Sequence, residues 1–113
     1  MKSPKPVIAL SVRQPNAELI LRGKKKIEYR SVPTTKRERV YIYASLQPGP
    51  KDDFRAADLE VGDLPTGVLV GTVEIQECRG KPGDYHWHLA RPERLKLPIK
   101  PRKHPQPLWF RPF

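Results

Sequence analysis

Arg13, Gln14 and Asn16, followed by Lys25, Glu28 and Arg30, set charged and amide side chains at the two ends of one short stretch of chain. Glu28 and Arg30 are two apart. In a strand they share a face and can form a charge-assisted pair. Gln14 and Asn16 fall where a helix would begin. A helix start offers unpaired N–H groups and the positive end of the helix dipole, a place for a phosphate or a carboxylate. Pro15 removes one of those donors, which gives the N–H groups of Asn16 and Ala17 more weight. Lys25 can bring a charge to the same pocket, although strict alternation sets it on the face opposite Glu28 and Arg30. Three arrangements are open: the strand begins after Lys25, a bulge intervenes, or the three residues do not share a site. Gly23, which lets the chain turn late, favours the first. Such a cleft can hold an anion. If it is catalytic, Lys25 is the general base or electrostatic stabiliser and Glu28 its proton-transfer partner.

Other residues carry weaker chemistry. Tyr41 and Tyr43 can stack on bases or cover the outside of a barrel, and the second is favoured. His86 and His88 share a strand face, but no Cys, Asp or Glu stands at ligand spacing, so no metal is expected. Cys78 reads as a small buried side chain. Lys24 and Lys26 belong to a solvated lysine run. No Ser–His–Asp order, phosphate-cradling glycine loop or dinucleotide-binding glycine pattern is present, and no cofactor is expected.

The elements that must position these residues are mostly strands. Fourteen prolines and seven glycines in 113 residues leave no room for long helices. Residues 7–12 read as a first strand. A short helix follows over 15–22, with Ala17, Ile20 and Leu21 on one side, a Glu18–Arg22 pair on the outer face and Gly23 as the stop. A second strand spans about 25–31. Residues 39–44 alternate, with Val40, Ile42 and Ala44 on one face and Tyr41 and Tyr43 on the other. Residues 53–59 can form a short helix around Phe54. Residues 67–78 form a strong strand in which Leu69, Gly71, Val73 and Ile75 share a face, and 85–89 form another. The proline-rich tail from about residue 92 is either an extended wrap docked by its aromatics or a partly mobile arm. The result is mainly β with one or two short helices (α+β), a small barrel or sandwich, in a single domain over 1–113.

The formal net charge is +10, and it is unevenly spread. Residues 1–39 hold 11 Lys and Arg against 3 Asp and Glu, residues 40–79 hold 3 against 7, and residues 80–113 hold 8 against 2. Basic ends around an acidic middle can present a polarised surface that attracts polyanions. The single cysteine permits no intrachain disulfide. The apolar run 7–12 is too short for a signal-peptide core or a membrane span. The expectation is a cytoplasmic protein with no membrane partner.

Residues 8–30 resemble the ASCH domain, a family with a PUA-like β-barrel. Its G-x-K-x-x-E-x-R hallmark is met by Gly23, Lys25, Glu28 and Arg30. The preceding S-x-R-Q-P-W-A stretch is met by Ser11, Arg13, Gln14, Pro15 and Ala17, with Asn16 in place of the Trp. Ala44-Ser45, the strand 70–73, Tyr85-His86-Trp87 and the 107–113 ending also match, leaving out about 46–64. The resemblance implies RNA or nucleotide binding in a basic cleft built from Arg13, Gln14, Asn16, Lys25, Glu28, Arg30 and Ser45. A hydrolase on RNA or an acylated nucleoside, with Lys25 and Glu28 catalytic, is the alternative it implies. The amidohydrolase subgroup pairs its Lys with a Thr three residues on, where this chain has Glu28. A protein partner reached through the proline-rich tail is the third possibility.

Overall fold

The alternation over 39–44 becomes the central strand of the molecule. The computed structural model describes residues 6–102 and 107–113. Expectations that fall on 1–5, in the basic start of the chain, and on 103–106, in the proline-rich end, lie outside the described residues. In chain order the elements are β1 (Ala9–Val12), α1 (Asn16–Leu21), β2 (Ile27–Arg30), β3 (Arg39–Ala44), α2 (Lys51–Ala56), β4 (Val68–Lys81), β5 (Asp84–Ile99) and β6 (Trp109–Phe110). They form one sheet in the order β2-β5-β4-β3-β1-β6. The β1–β3 pair is parallel and every other pair antiparallel. The sheet curls into a half-barrel, so the fold is the small, mainly β barrel with two short helices that the patterning implies.

Both faces of β3 are buried. Val40, Ile42 and Ala44 join Leu10, Val12, Val73, Ile75 and Trp87 in the main core, together with Ala17 and Ile20 of α1. Tyr41 and Tyr43 face the other way, among Ala9, Leu69, Leu95 and Phe110. Tyr43 meets Phe110 edge-on at 5.2 Å, and Tyr41 meets Phe113 at 5.7 Å. Burial pushes the Tyr43 phenol pKa up. Neither ring is open to stack on a base.

Helix α1 ends where Gly23 adopts φ +75°, a conformation that costs glycine little. The helix lies against β4 at Gly71. A Cβ there would run into the Leu21 side chain and the Glu93 carbonyl oxygen, so only glycine permits the close approach. The Glu18–Arg22 pair forms, with Nε to Oε2 at 2.6 Å, but not on an outer face. Glu18 is buried and also receives a two-pronged contact from Arg94 of β5, both distances 2.8 Å.

The long hairpin β4–β5 departs from simple alternation. Register shifts interrupt it between Leu69 and Gly71, Thr72 and Glu74, and Ile75 and Glu77. Leu69 therefore faces the tyrosines, while Val73 and Ile75 face the main core, and the expected common face is split. The segment from residue 92 is only partly a tail. Residues 92–99 continue β5, and Trp109–Phe110 form β6 beside β1. The second helix begins and ends earlier than expected, at Lys51–Ala56, with Phe54 as its buried anchor.

Candidate functional site

The curled sheet leaves a seam between its two edges, with β2 on one side and β6 with β1 on the other. Side chains bridge this seam. Arg30 of β2 donates from Nη2 to the backbone oxygen of Ser11 in β1 at 2.8 Å. Trp87 of β5 stacks on Trp109 of β6, with ring centroids 5.6 Å apart and planes within 7° of parallel. Arg30 lies over the Trp87 ring at 5.7 Å and Lys36 over the Trp109 ring at 5.2 Å, so each of the paired indoles also meets a cation. Trp87 is anchored by its Nε1–H, which donates to the Val32 carbonyl at 3.1 Å.

A cleft of about 520 Å³ opens along this seam. Its lining comes from four places. Ser11, Arg13 and Asn16 lie on the path from β1 into α1, and Glu28 and Arg30 come from β2. Ser45, Leu46 and Gln47 follow β3, and Leu108 precedes β6. Arg13 is exposed. Among the described residues, the side chains of Arg13, Asn16, Ser45 and Gln47 accept or donate no hydrogen bond and join no ion pair. The cleft thus presents an open cation and three open polar groups. Buried polar side chains elsewhere among the described residues all have partners.

Glu28 is the hub of the β2 wall. Its Oε2 lies 2.8 Å from Arg30 Nε and 2.6 Å from Arg30 Nη2, a charge-assisted double contact. Its Oε1 lies 3.7 Å from Lys25 Nζ. Because β2 begins at Ile27, Lys25 escapes the strand's alternation and reaches Glu28, the first of the three arrangements open from the sequence.

The family model of the ASCH domain matches residues 10–98. The chain belongs to the ASCH domain family. Activating signal cointegrator 1 from Homo sapiens is 38% identical to it over 80 residues, and the Mus musculus protein of that name is 36% identical over 80. In each case the match covers 61% of this chain and 14% of the relative, so the chain spans a small part of the length of the curated relatives it matches. The ASCH hallmark has a local physical meaning here. Gly23 turns the chain out of α1, and Lys25 and Arg30 hold Glu28 between them.

Of the seven ASCH residues singled out in the sequence, Arg13, Asn16, Glu28, Arg30 and Ser45 meet at the cleft. Gln14 does not line it. Gln14 is buried, its Oε1 accepts the Glu18 N–H at 3.0 Å, and its Nε2 donates to the Pro65 carbonyl at 3.0 Å. It thereby occupies the first turn of α1 from within the protein and ties that turn to the loop before β4. Lys25 also lies off the cleft lining. It sits over Tyr29 at 5.2 Å and borders a separate cavity of about 250 Å³ with Ile20, Leu89 and Arg91. Ser11, Leu46, Gln47 and Leu108 were not foreseen as site residues. Ser11 and Gln47 stand within two positions of residues that were, whereas Leu108 lies in a proline-rich stretch with no strand pattern.

Elsewhere, His86 Nε2 lies 3.2 Å from Asp84 Oδ1 and its ring meets Tyr29 edge-on at 4.9 Å. No group of three His, Cys, Asp or Glu among the described residues is placed to hold a metal ion. No helix among them is long and apolar enough to cross a membrane.

Proposed function

We propose that this chain binds single-stranded RNA or a nucleotide in the seam cleft. The observation that carries the reading is the convergence of unpartnered groups there: the Arg13 guanidinium, the Asn16 and Gln47 amides and the Ser45 hydroxyl, beside the Arg30–Glu28 pair. A cation left without a carboxylate in a cleft suits a phosphate, and fixed amides and hydroxyls suit sugar and base edges. The cleft volume falls within the range of about 300–1,000 Å³ common for small-ligand sites. The net charge of +10 supports association with a polyanion. The hydrolase reading has less support. Lys25 does not line the cleft, and the Ser45 hydroxyl has no base within hydrogen-bond reach among the described residues.

The test is anisotropy of a labelled ten-nucleotide oligoribonucleotide across a salt series. Binding should weaken linearly in log–log form, by about 0.7 in slope per phosphate contact. Arg13→Ala should remove about one such contact, lowering affinity and flattening the slope by about 0.7. Lys24→Ala, at an exposed lysine away from the cleft lining, is the control and should do less. Folded protein that binds no oligonucleotide at low salt sinks the reading.

A further inference from the structure

We infer that Glu28 reads the base held in this cleft, selecting bases that carry an exocyclic amino group and disfavouring uracil. The inference rests on the proposed RNA-binding role of the cleft and names what that site would discriminate.

The two oxygens of Glu28 are not equivalent. Oε2 is occupied by both Nε and Nη2 of Arg30, at 2.8 and 2.6 Å. Oε1 has only the Lys25 ammonium at 3.7 Å, beyond hydrogen-bond reach, and accepts no hydrogen bond among the described residues. Glu28 is 5% exposed, yet every polar side-chain atom sealed from solvent has a partner among the described residues. Oε1, ion-paired with Lys25 but accepting no hydrogen bond among the described residues, therefore keeps some exposure to solvent, and Glu28 lines the cleft. Lys25 and Arg30 flank the carboxylate, and Arg30 is itself held by the Ser11 carbonyl and the Trp87 face. The carboxylate is thus fixed in place, and Oε1 retains its capacity to accept.

The rest of the lining fits a flat ring with a polar rim. Leu46 and Leu108 give apolar surface for its faces, and Arg13 gives a cation for its phosphate. A lone carboxylate oxygen at the ring edge accepts from an amino group such as cytosine N4 or adenine N6. Uracil presents the O4 carbonyl where cytosine presents N4, so at that position two acceptors would face each other, and the uracil donor on this edge, N3–H, lies one ring position away. Leaving a carboxylate oxygen desolvated and unpaired is the kind of loss that gives strong discrimination.

The experiment compares unmodified protein on oligoribonucleotides differing only at that group. The first pair is C10 against U10. The second is a U10 background with one central adenosine against the same strand with inosine, whose base has a carbonyl in place of the 6-amino group. The amino-bearing member should bind roughly tenfold tighter or more in each pair. Glu28→Gln, whose amide can turn its NH2 toward a carbonyl, should reduce the C10:U10 ratio to about threefold or less while U10 affinity holds or rises. Equal binding of both members by the unmodified protein overturns base reading by Glu28 and leaves RNA binding standing. A ratio unchanged in a folded Glu28→Gln variant also overturns it, by assigning the preference to another residue. Failure of every oligonucleotide to bind overturns the RNA reading beneath it.

Discussion

At the scale of single residues, the molecule treats its carboxylates in two ways. Glu28, on the cleft wall, has one oxygen that accepts no hydrogen bond among the described residues, whereas Glu18 has both oxygens engaged, Oε1 with Arg94 and Oε2 with Arg94 and Arg22. The hydrogen bonds from Arg94 hold the Glu18 carboxyl below the usual glutamate range; burial opposes them, Arg22 adds to the lowering, and the net shift is downward. A carboxyl whose pKa is lower folded than unfolded contributes stability that is full above the unfolded value, about 4.3. That contribution is lost as pH falls through the lower folded value. Unfolding by urea at a series of pH values should therefore show the protein losing stability below about pH 4.5, and Glu18→Gln should lose less over the same interval. Equal acid sensitivity in the two proteins would show that Glu18 does not contribute. Arg94→Ala at neutral pH should cost about 1–3 kcal/mol, toward the low end because Arg94 is half-exposed and water can replace part of its contact. One half of this arrangement is readable from spacing, since Glu18 and Arg22 are four apart on a helix. The other half is not, because Arg94 lies 76 residues away and its position depends on bulges in β5.

At the scale of elements, β3 and α1 follow from pattern alone, and β4 and β5 do not. Residues 39–44 alternate because both faces of β3 have apolar surroundings of different composition, and period two survives. In β4 the same period predicts one face for Leu69, Val73 and Ile75, but the shift between Ile42 and Tyr43 on one side and Leu69 and Gly71 on the other inserts Val70 as an extra residue. One inserted residue exchanges the two faces. Prolines disguise β5. Pro92 and Pro98 end a strand on paper, yet each falls where the β4–β5 register shifts and no ladder hydrogen bond is demanded of it. The cleft inherits this pattern. Asn16, Glu28 and Arg30 are legible because they sit on short, regular elements, and Arg13 because it directly follows one, while Leu108 is not, because its place depends on a two-residue strand. Gly71 offers a direct check on the packing of α1 against the hairpin. Gly71→Ala should destabilise by about 1–3 kcal/mol, the ordinary cost of overpacking. Adding Leu21→Ala should recover only part of the loss, since the Glu93 carbonyl, the second obstacle, belongs to the backbone. A Gly71→Ala protein with the thermal midpoint of the parent would mean that α1 does not bear on β4 as described.

At the scale of the whole molecule, the described strands stop short of closing the sheet with backbone hydrogen bonds, and the cleft lies along that gap. Strand β6 pairs with β1 at only two positions, Ala9 with Phe110 and Leu10 with Trp109, helped by the Ser11 N–H donating to the Leu108 carbonyl at 3.0 Å. So short a strand is held mainly by its side chains, and the Trp87–Trp109 stack joins it across the seam to β5. The same stack backs Arg30, so stability and the geometry of the cleft are coupled through one pair of rings. Trp109→Ala should cost about 2–4 kcal/mol in urea unfolding, below the about 3–5 kcal/mol of a fully buried aromatic because Trp109 is half-buried. The near-ultraviolet circular dichroism of the indole pair should collapse at the same time, since the protein has two tryptophans and each is the other's stacking partner. Trp109→Phe keeps a flat ring over Trp87 and should recover most of the stability. RNA affinity should follow the same order, with the parent strongest, Trp109→Phe close behind and Trp109→Ala weakest. In the alanine variant β6 loosens and takes Leu108, one wall of the cleft, with it. If Trp109→Ala instead unfolds within about 0.5 kcal/mol of the parent, backbone pairing alone holds β6 and the stack does not close the seam. If stability falls but RNA affinity does not, the seam and the binding site are separate features of the fold.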